Sequence, residues 1–383
     1  LILLIAGAVI FMIRSFFSSD QKDASGPLPS YKEELSEDIH LEPETAAVSE
    51  TSSDTGIYQD PSVSEEDDPD LSSGPEASEE PKTASLLFAG DIYLSSHVLA
   101  AYDSRGNVSG ILSDDLLALI RESDIFMANL EFPFSLRGEP EDEKSFTFRV
   151  DPARVGILKE LGVDILSLAN NHTLDFGREA LQDTLDTLDG AGISRVGAGR
   201  SRDEAAAAVI RTIGGKSFAF IAASRVLPRA DWTAGPDTPG INSIYDAYKE
   251  RIYEKLKELS EVTDYQIVYI HWGTERKETP DDYMYVLAGE LAEAGADLII
   301  GSHPHVLQPI EYVGDVPVAY SLGNFLFGSS IPSTMLLSVE WDLESGRPSL
   351  SLHPAKGALG YTEGLTDEAE ISEFIDRYSP LHP

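Results

Sequence analysis

Six apolar runs of this chain stop abruptly on a side chain able to hold a cation or a proton, and that recurrence limits the fold more than any other feature. LLFAG ends on Asp91, IFMANL on Glu131, VDILSLAN on Asn171 and His172, QIVYI on His271, DLIIGS on His303 and His305, and VAYSLG on Asn324. Short β-prone runs followed by turns read as strands whose last side chains project from the C-terminal edge of a sheet, where open α/β sheets bind their ligands. The donors are carboxylates, amides and imidazoles without a thiol, so the set reads as one oxygen and nitrogen site assembled from separate strand ends.

Helical patterns lie between these strands. Ser113 reads as the cap of DDLLALIRE, Asp151 and Pro152 open PARVGILKEL, REALQDTLDTL closes at Gly190, and YDAYKERIYEKLKEL and DDYMYVLAGELAEAG follow. Predicted strands fall at roughly 86–89, 125–129, 163–168, 217–222, 266–270, 297–300 and 317–321. After Phe327, TMLLSVEWD and PSLSLHPA read as an antiparallel pair. The mixture predicts an α/β domain of two packed sheets over 83–364, followed over 365–383 by a tail with a helix from Glu368 to Tyr378.

The chain before about Thr83 has no such pattern. Leu1 to Ile13 is apolar and uncharged but shorter than the roughly 20 residues a bilayer span needs. With Phe16 and Phe17 it reads as the tail of an uncleaved membrane anchor over 1–17, because FFSSDQKD carries no small-x-small cleavage site. From 18 to 82 the chain is rich in Ser, Pro, Asp and Glu and too poor in apolar residues to offset the entropy of ordering, so a disordered acidic linker is expected. Between Phe17 and Lys82 there are 19 acids and 3 lysines, within a chain of formal charge −38, which excludes nucleic acid as a partner. The absence of cysteine removes disulfides and thiolate metal sites together.

Among the candidate ligands some carry more information than others. Gly90 lets the backbone turn tightly beside Asp91, whereas Asp91 and Glu131 taken singly are ordinary carboxylates. Asn171 and His172 put an amide oxygen and an imidazole side by side, and Asp175 is spaced to hydrogen-bond the imidazole and fix its tautomer. His271 alone fits a core histidine. His303 and His305 flank Pro304, so both rings are expected to leave one rigid extended turn, chelating one metal or reaching two. Trp272, Glu275 and Asn324 are candidates for the pocket lining, with packing as the alternative for Trp272 and Asn324.

The ordered set Gly90–Asp91, Asn129–Glu131, ANNHTLDFG from Ala169 to Gly177, HWGTE from His271 to Glu275, GADLIIGSHPHVLQPIE from Gly295 to Glu311, and YSLGNFLF from Tyr320 to Phe327 resembles the CapA family of capsule and poly-γ-glutamate synthesis proteins. That family lies within the calcineurin-like metallophosphatase superfamily. The resemblance implies a four-layer α/β/β/α sandwich of metallophosphatase type with two divalent ions, Mn, Mg, Zn or Fe, where the strands end. It implies Asp91, Glu131, Asn171, His271, His303 and His305 as metal ligands, Glu131 as the bridging carboxylate, and His172 with Asp175 as the catalytic pair that protonates a leaving oxygen. Tyr93 stands where the superfamily has a histidine, and Glu131 where it has an aspartate.

The function expected from this resemblance is synthesis or export of poly-γ-glutamate or a related anionic capsule polymer. The protein would be anchored in the cell membrane by a single N-terminal helix, with its domain outside the cytoplasm, alongside other capsule synthase subunits. Two rivals are a metal-dependent hydrolase of phosphoester or amide bonds, and a noncatalytic scaffold that binds polymer or synthase subunits.

Overall fold

The computed structural model describes residues 81–379 apart from 143 and 329, so the expected anchor and nearly all of the acidic linker lie outside the described residues. Among the described residues no helix is long and apolar enough to cross a membrane.

The first half of the domain runs β1 (Thr83–Ile92), α1 (Ser96–Arg105), α2 (Asp114–Glu122), β2 (Ile125–Leu130), α3 (Gly156–Leu161), β3 (Ile165–Ser167), α4 (Gly177–Ala191), β4 (Ser194–Val196), β5 (Ala198–Gly199) and α5 (Arg202–Ala205). The second half adds β6 (Val209–Ile213), β7 (Lys216–Ser224), β8 (Gly240–Ile241), α6 (Lys249–Ser260), β9 (Tyr265–His271), α7 (Asp282–Ala294) and β10 (Leu298–Ser302). It closes with β11 (Ile310–Val313), β12 (Val316–Ala319), β13 (Asn324–Leu326), β14 (Ser330–Asp342), β15 (Pro348–Ala358), β16 (Tyr361–Gly364) and α8 (Glu368–Tyr378).

These strands form one sheet of order β16-β15-β14-β1-β2-β3-β4, with β13 also paired to β1, and a second of order β11-β12-β10-β9-β7-β6. The central strands β1 to β4 run parallel, as do β7, β9, β10 and β12, so in each sheet the C-terminal strand ends collect along one edge. Strand periodicity decides the layering. In β7, Phe218, Phe220 and Ala222 face the large core, while Ala219, Ile221 and Ala223 face a second core under α6 and α7. Leu181, Leu185 and Leu188 of α4, with α2 and α3, cover the first sheet from outside. The chain is therefore a four-layer α/β/β/α sandwich, as expected, and Phe374 and Tyr378 of α8 join the same core.

An aspartate starts one strand of each of four parallel pairs. Asp124, Asp164, Asp264 and Asp297 each precede or open a strand and accept the backbone N–H of Ser85, Phe126, Ser217 and Gln266 on the neighbouring strand, at 2.8, 2.8, 2.9 and 2.8 Å. These carboxylates satisfy donors that would otherwise be left at the sheet margin.

Several expectations are corrected. The fourth helix runs through Gly190 and is capped by Gly192, whose φ of 75° suits the left-handed C-terminal cap. Ser113 holds the cap position, but its hydroxyl makes no capping bond and instead accepts from the N–H of Gly364. The segment opening YDAY enters α6 only at Lys249. The sequence pattern omits α1, which buries only Val98, and β4, β6 and β11, which are short or lie at sheet edges and so lack a continuous apolar run.

Candidate metal centre

The first sheet delivers Asp91, Glu131, Asn171 and Asn324, and the second delivers His271, His303 and His305. Gly90 makes the first of these possible: a Cβ there would lie 1.9 Å from the Gly323 carbonyl oxygen, and Asp91 N donates to that same oxygen at 2.9 Å. The close approach pins β1 against the segment carrying Asn324, which is the Cα partner of Asp91.

Among the described residues three groups of side chains could hold a metal ion, each with its ligand atoms within 4.8 Å of one another: Glu131 with His271 and His303, Asp91 with Glu131 and His305, and exposed Glu275 with His303 and His305. Glu131 is common to the first two. It is fully buried, and neither carboxylate oxygen has a hydrogen-bond partner; His303 Nδ1 is likewise buried and unpartnered. Native proteins rarely leave a buried carboxylate bare, because the desolvation is uncompensated. A divalent cation between these groups supplies what is missing, so the residues present fit the metal.

The surrounding bonds orient the ligands. His271 Nδ1 lies 2.9 Å from Ser302 Oγ and its Nε2 is 2.8 Å from Asn171 Oδ1 and 3.7 Å from Glu131 Oε1. His305 Nδ1 bonds Asn324 Oδ1 at 2.8 Å, which turns Nε2 toward Glu131 Oε1, 3.8 Å away. Such outer bonds fix the tautomer and ring angle of a ligating histidine. An amide relay braces the carboxylate side: Asn129 Nδ2 donates to Asp91 Oδ1, Asn170 Nδ2 to Asn129 Oδ1, and His172 N to Asn170 Oδ1, at 2.8, 3.0 and 3.0 Å.

The turn carrying His303 and His305 is not the extended one expected. Both residues have positive φ, 98° and 57°, a region costly for non-glycine residues. The fold holds them there because β10 ends at Ser302, whose carbonyl accepts from Trp272 N, while His303 N faces Asp91 Oδ2 at 3.4 Å.

Charge in the cluster is frustrated. Burial, reinforced by Asp91, pushes the Glu131 carboxyl well above its usual range. Burial and the neighbouring imidazoles hold His271 and His303 well below theirs. Burial also disfavours the charged form of His305, yet Glu131 and Asp91 outweigh it and lift the imidazole to about 10. Without a cation, burial and mutual repulsion leave these carboxylates short of positive charge, and the attraction of His305 to them is the other side of the same imbalance.

His172 stands beside this cluster. Its Nδ1 lies 2.6 Å from Asp175 Oδ2, so Nδ1 carries the proton and Nε2 is left for chemistry. Phe148 stacks on the imidazole at 4.1 Å, and Tyr93 stacks on Phe148 at 4.1 Å. The tyrosine in the superfamily's histidine position therefore braces His172 through an aromatic pile. Burial lowers the His172 pKa, and the Asp175 hydrogen bond works against it.

Lys144 was not anticipated. Its Nζ donates to the Asn171 carbonyl at 2.6 Å and to Asp175 Oδ1 at 2.5 Å, and lies 3.1 Å from His172 Nδ1. Nothing in EDEKSFTFRV distinguishes this lysine from a solvated loop charge. Asn129 and Asn170 sit inside motifs already singled out, the first in NLE and the second in the doubled asparagine before His172. Trp272 is fully buried in the second core, its indole donating to the Tyr320 carbonyl at 2.8 Å, while Asn324 touches the site through His305.

The sequence model of the bacterial capsule synthesis protein PGA_cap matches residues 85–329. The chain is 31% identical over 245 residues to the PGA biosynthesis protein CapA of Bacillus subtilis (strain 168), covering 63% of each chain. It is 28% identical over 246 residues to the capsule biosynthesis protein CapA of Bacillus anthracis, covering 63% of this chain and 59% of that one. It thus spans less than two thirds of the length of either relative. A solved structure from Thermus thermophilus overlays 72% of this chain and 99% of its own at a TM-score of 0.39 with 13% identity, a likeness too remote to bear on chemistry.

Proposed function

This chain belongs to the bacterial capsule synthesis protein PGA_cap family, and we propose that it serves synthesis or export of poly-γ-glutamate or a related anionic capsule polymer through a divalent-metal site at the edge of its two sheets. The names of its Bacillus relatives support the biological half of this reading. Buried, unpartnered Glu131 between two sets of imidazoles supports the chemical half. An apolar N-terminal run and an acidic stretch support a domain tethered outside the cytoplasm near synthase subunits.

Glu131, His271 and His303, with Asn171 beside them, would hold one ion, and Asp91, Glu131 and His305 a second. A cation there supplies Lewis-acid polarisation of a phosphoryl or carbonyl oxygen. His172, with Nδ1 committed to Asp175, presents Nε2 to the site, and in the imidazolium form that Asp175 favours it would give the Nε2 proton to a leaving oxygen or nitrogen. Lys144 neutralises Asp175 and grips the Asn171 carbonyl, so the loop that carries it closes over the histidine. This geometry favours hydrolysis within the polymer pathway over a purely noncatalytic scaffold. A strongly acidic protein would meet an anionic polymer through cations shared between their carboxylates.

The test uses the whole chain and a capsule-producing host. Metal analysis is expected to find bound divalent metal, and Glu131→Gln to lower metal affinity by about tenfold or more. His172→Ala is expected to keep the metal and to lose hydrolysis and polymer output. Undiminished capsule from Glu131→Gln would sink the metal-site reading; undiminished capsule from His172→Ala would sink the hydrolytic one.

A further inference from the structure

We infer that Glu275 is a metal ligand in this chain, binding from the solvent side the ion that Asp91, Glu131 and His305 hold from within, a step that rests on the metal-site reading above. Its carboxylate oxygen and one nitrogen each of His303 and His305 lie within 4.8 Å of one another. The same two histidines divide the buried groups between them, His303 standing with Glu131 and His271, and His305 with Glu131 and Asp91. Glu275 thus brings to these imidazoles a further carboxylate, and this one is exposed.

The loop that carries Glu275 is fastened to the turn it faces. Gly273 has a φ of 89°, and a Cβ there would lie 3.2 Å from both Met284 Sδ and Pro304 Cγ. Its N–H donates to the Tyr283 hydroxyl at 2.6 Å. Arg276 takes a left-handed φ of 59°, costly for a residue with a side chain, and its N–H donates at 2.7 Å to the carbonyl of Pro304, the residue between the two histidines. Coordination and charge give the carboxylate so placed its use. Tyr93, where the superfamily has a histidine, stacks on Phe148 at 4.1 Å, so the ion beside Asp91, Glu131 and His305 lacks the imidazole that the superfamily supplies there. Two divalent ions would also bring four positive charges to a centre where Asp91 and Glu131 return two, and Glu275 supplies a third negative charge. Among themselves these acids repel: burial and Asp91 push the Glu131 carboxyl up, and Glu275 adds to that push. Cations between them account for a strained loop that sets an exposed acid against buried ones.

The experiment is titration of the whole chain, freed of metal on a chelating resin, with Mn²⁺, read by calorimetry and by electron paramagnetic resonance. The parent is expected to take up two ions and to show the spin-coupled spectrum of a dinuclear Mn²⁺ pair. Glu275→Gln is expected to keep one ion at parent affinity, to bind the other about tenfold more weakly, and to lose most of the coupled signal at two equivalents. The metal-free variant should equal or exceed the metal-free parent in Tm, because one of several like charges has gone, a combination that loss of structure does not produce. Glu131→Gln, run alongside, is expected to weaken both ions. Parent-like affinities and a parent-like coupled spectrum in Glu275→Gln overturn the assignment. A parent that takes up one ion also overturns it and leaves a metal centre standing, whereas a parent that takes up none sinks the metal-site reading as well.

Discussion

Lys144 and Asp175 form a nearly closed ion pair next to the candidate catalytic histidine, with side-chain exposures of 11% and 0%. Burial lowers the lysine's pKa, while Asp175 works to keep it charged. Removing one member strands the other in a medium that solvates it poorly, so a single substitution costs more than replacing both. Lys144→Met is expected to destabilise the protein by about 3 kcal/mol, and Lys144→Met with Asp175→Asn by at least about 1 kcal/mol less than the two singles summed. Urea unfolding of the four proteins measures this, and strict additivity would show that the pair carries no coupling. Asp175 also accepts from Phe148 N at 2.7 Å, so the same carboxylate anchors both the imidazole and the ring stacked on it. That double duty explains how a loop with no secondary structure can hold the His172 imidazole in one pose.

Strand starts are set as firmly as strand ends. Asp164 binds Phe126 reciprocally: its carboxylate accepts from Phe126 N at 2.8 Å and its own N–H donates to Phe126 O at 3.1 Å. The same reciprocity joins Asp297 to Gln266 in the second sheet. Asp164→Ala leaves the Phe126 N–H without its partner and is expected to cost about 1–2 kcal/mol, with faster amide exchange at Phe126. An unchanged unfolding free energy together with unchanged exchange would mean that water replaces the carboxylate without penalty. These aspartates were visible in the sequence as SDIF, VDIL, TDYQ and ADLI, yet periodicity gives polar residues before a strand no meaning, so their role emerged only with the pairing. The left-handed turn at His303 and His305 was hidden for a related reason: proline disfavours helical backbone in the residue before it, and only tertiary bonds overrule that local bias.

The two sheets share one core, and the candidate metal centre lies across their seam. Trp341 of β14 meets Phe218 of β7 at 5.6 Å and Tyr265 of β9 at 4.6 Å, and Tyr269 donates to the Ala89 carbonyl at 2.7 Å from one sheet to the other. Because neither sheet can bury its inner face alone, the domain is expected to unfold in one step, with tryptophan fluorescence and far-ultraviolet dichroism tracing the same transition. Phe218→Ala should lower both together, by about 3–5 kcal/mol; separate midpoints would show the sheets to be independent. The positions of the central strands, the order of the coordinating motifs and the chemical nature of the donors were legible in the linear chain, because period-two apolar runs and the residues that end them are local properties. Which donors meet was not. Asp91 and Glu131 come from one sheet and the three histidines from the other, so the shared, unpartnered carboxylate exists only once two separately patterned sheets have packed face to face. The buried lysine belongs to that packing as well, since a charge in a loop acquires its partner from distant chain and its low exposure from everything folded around it.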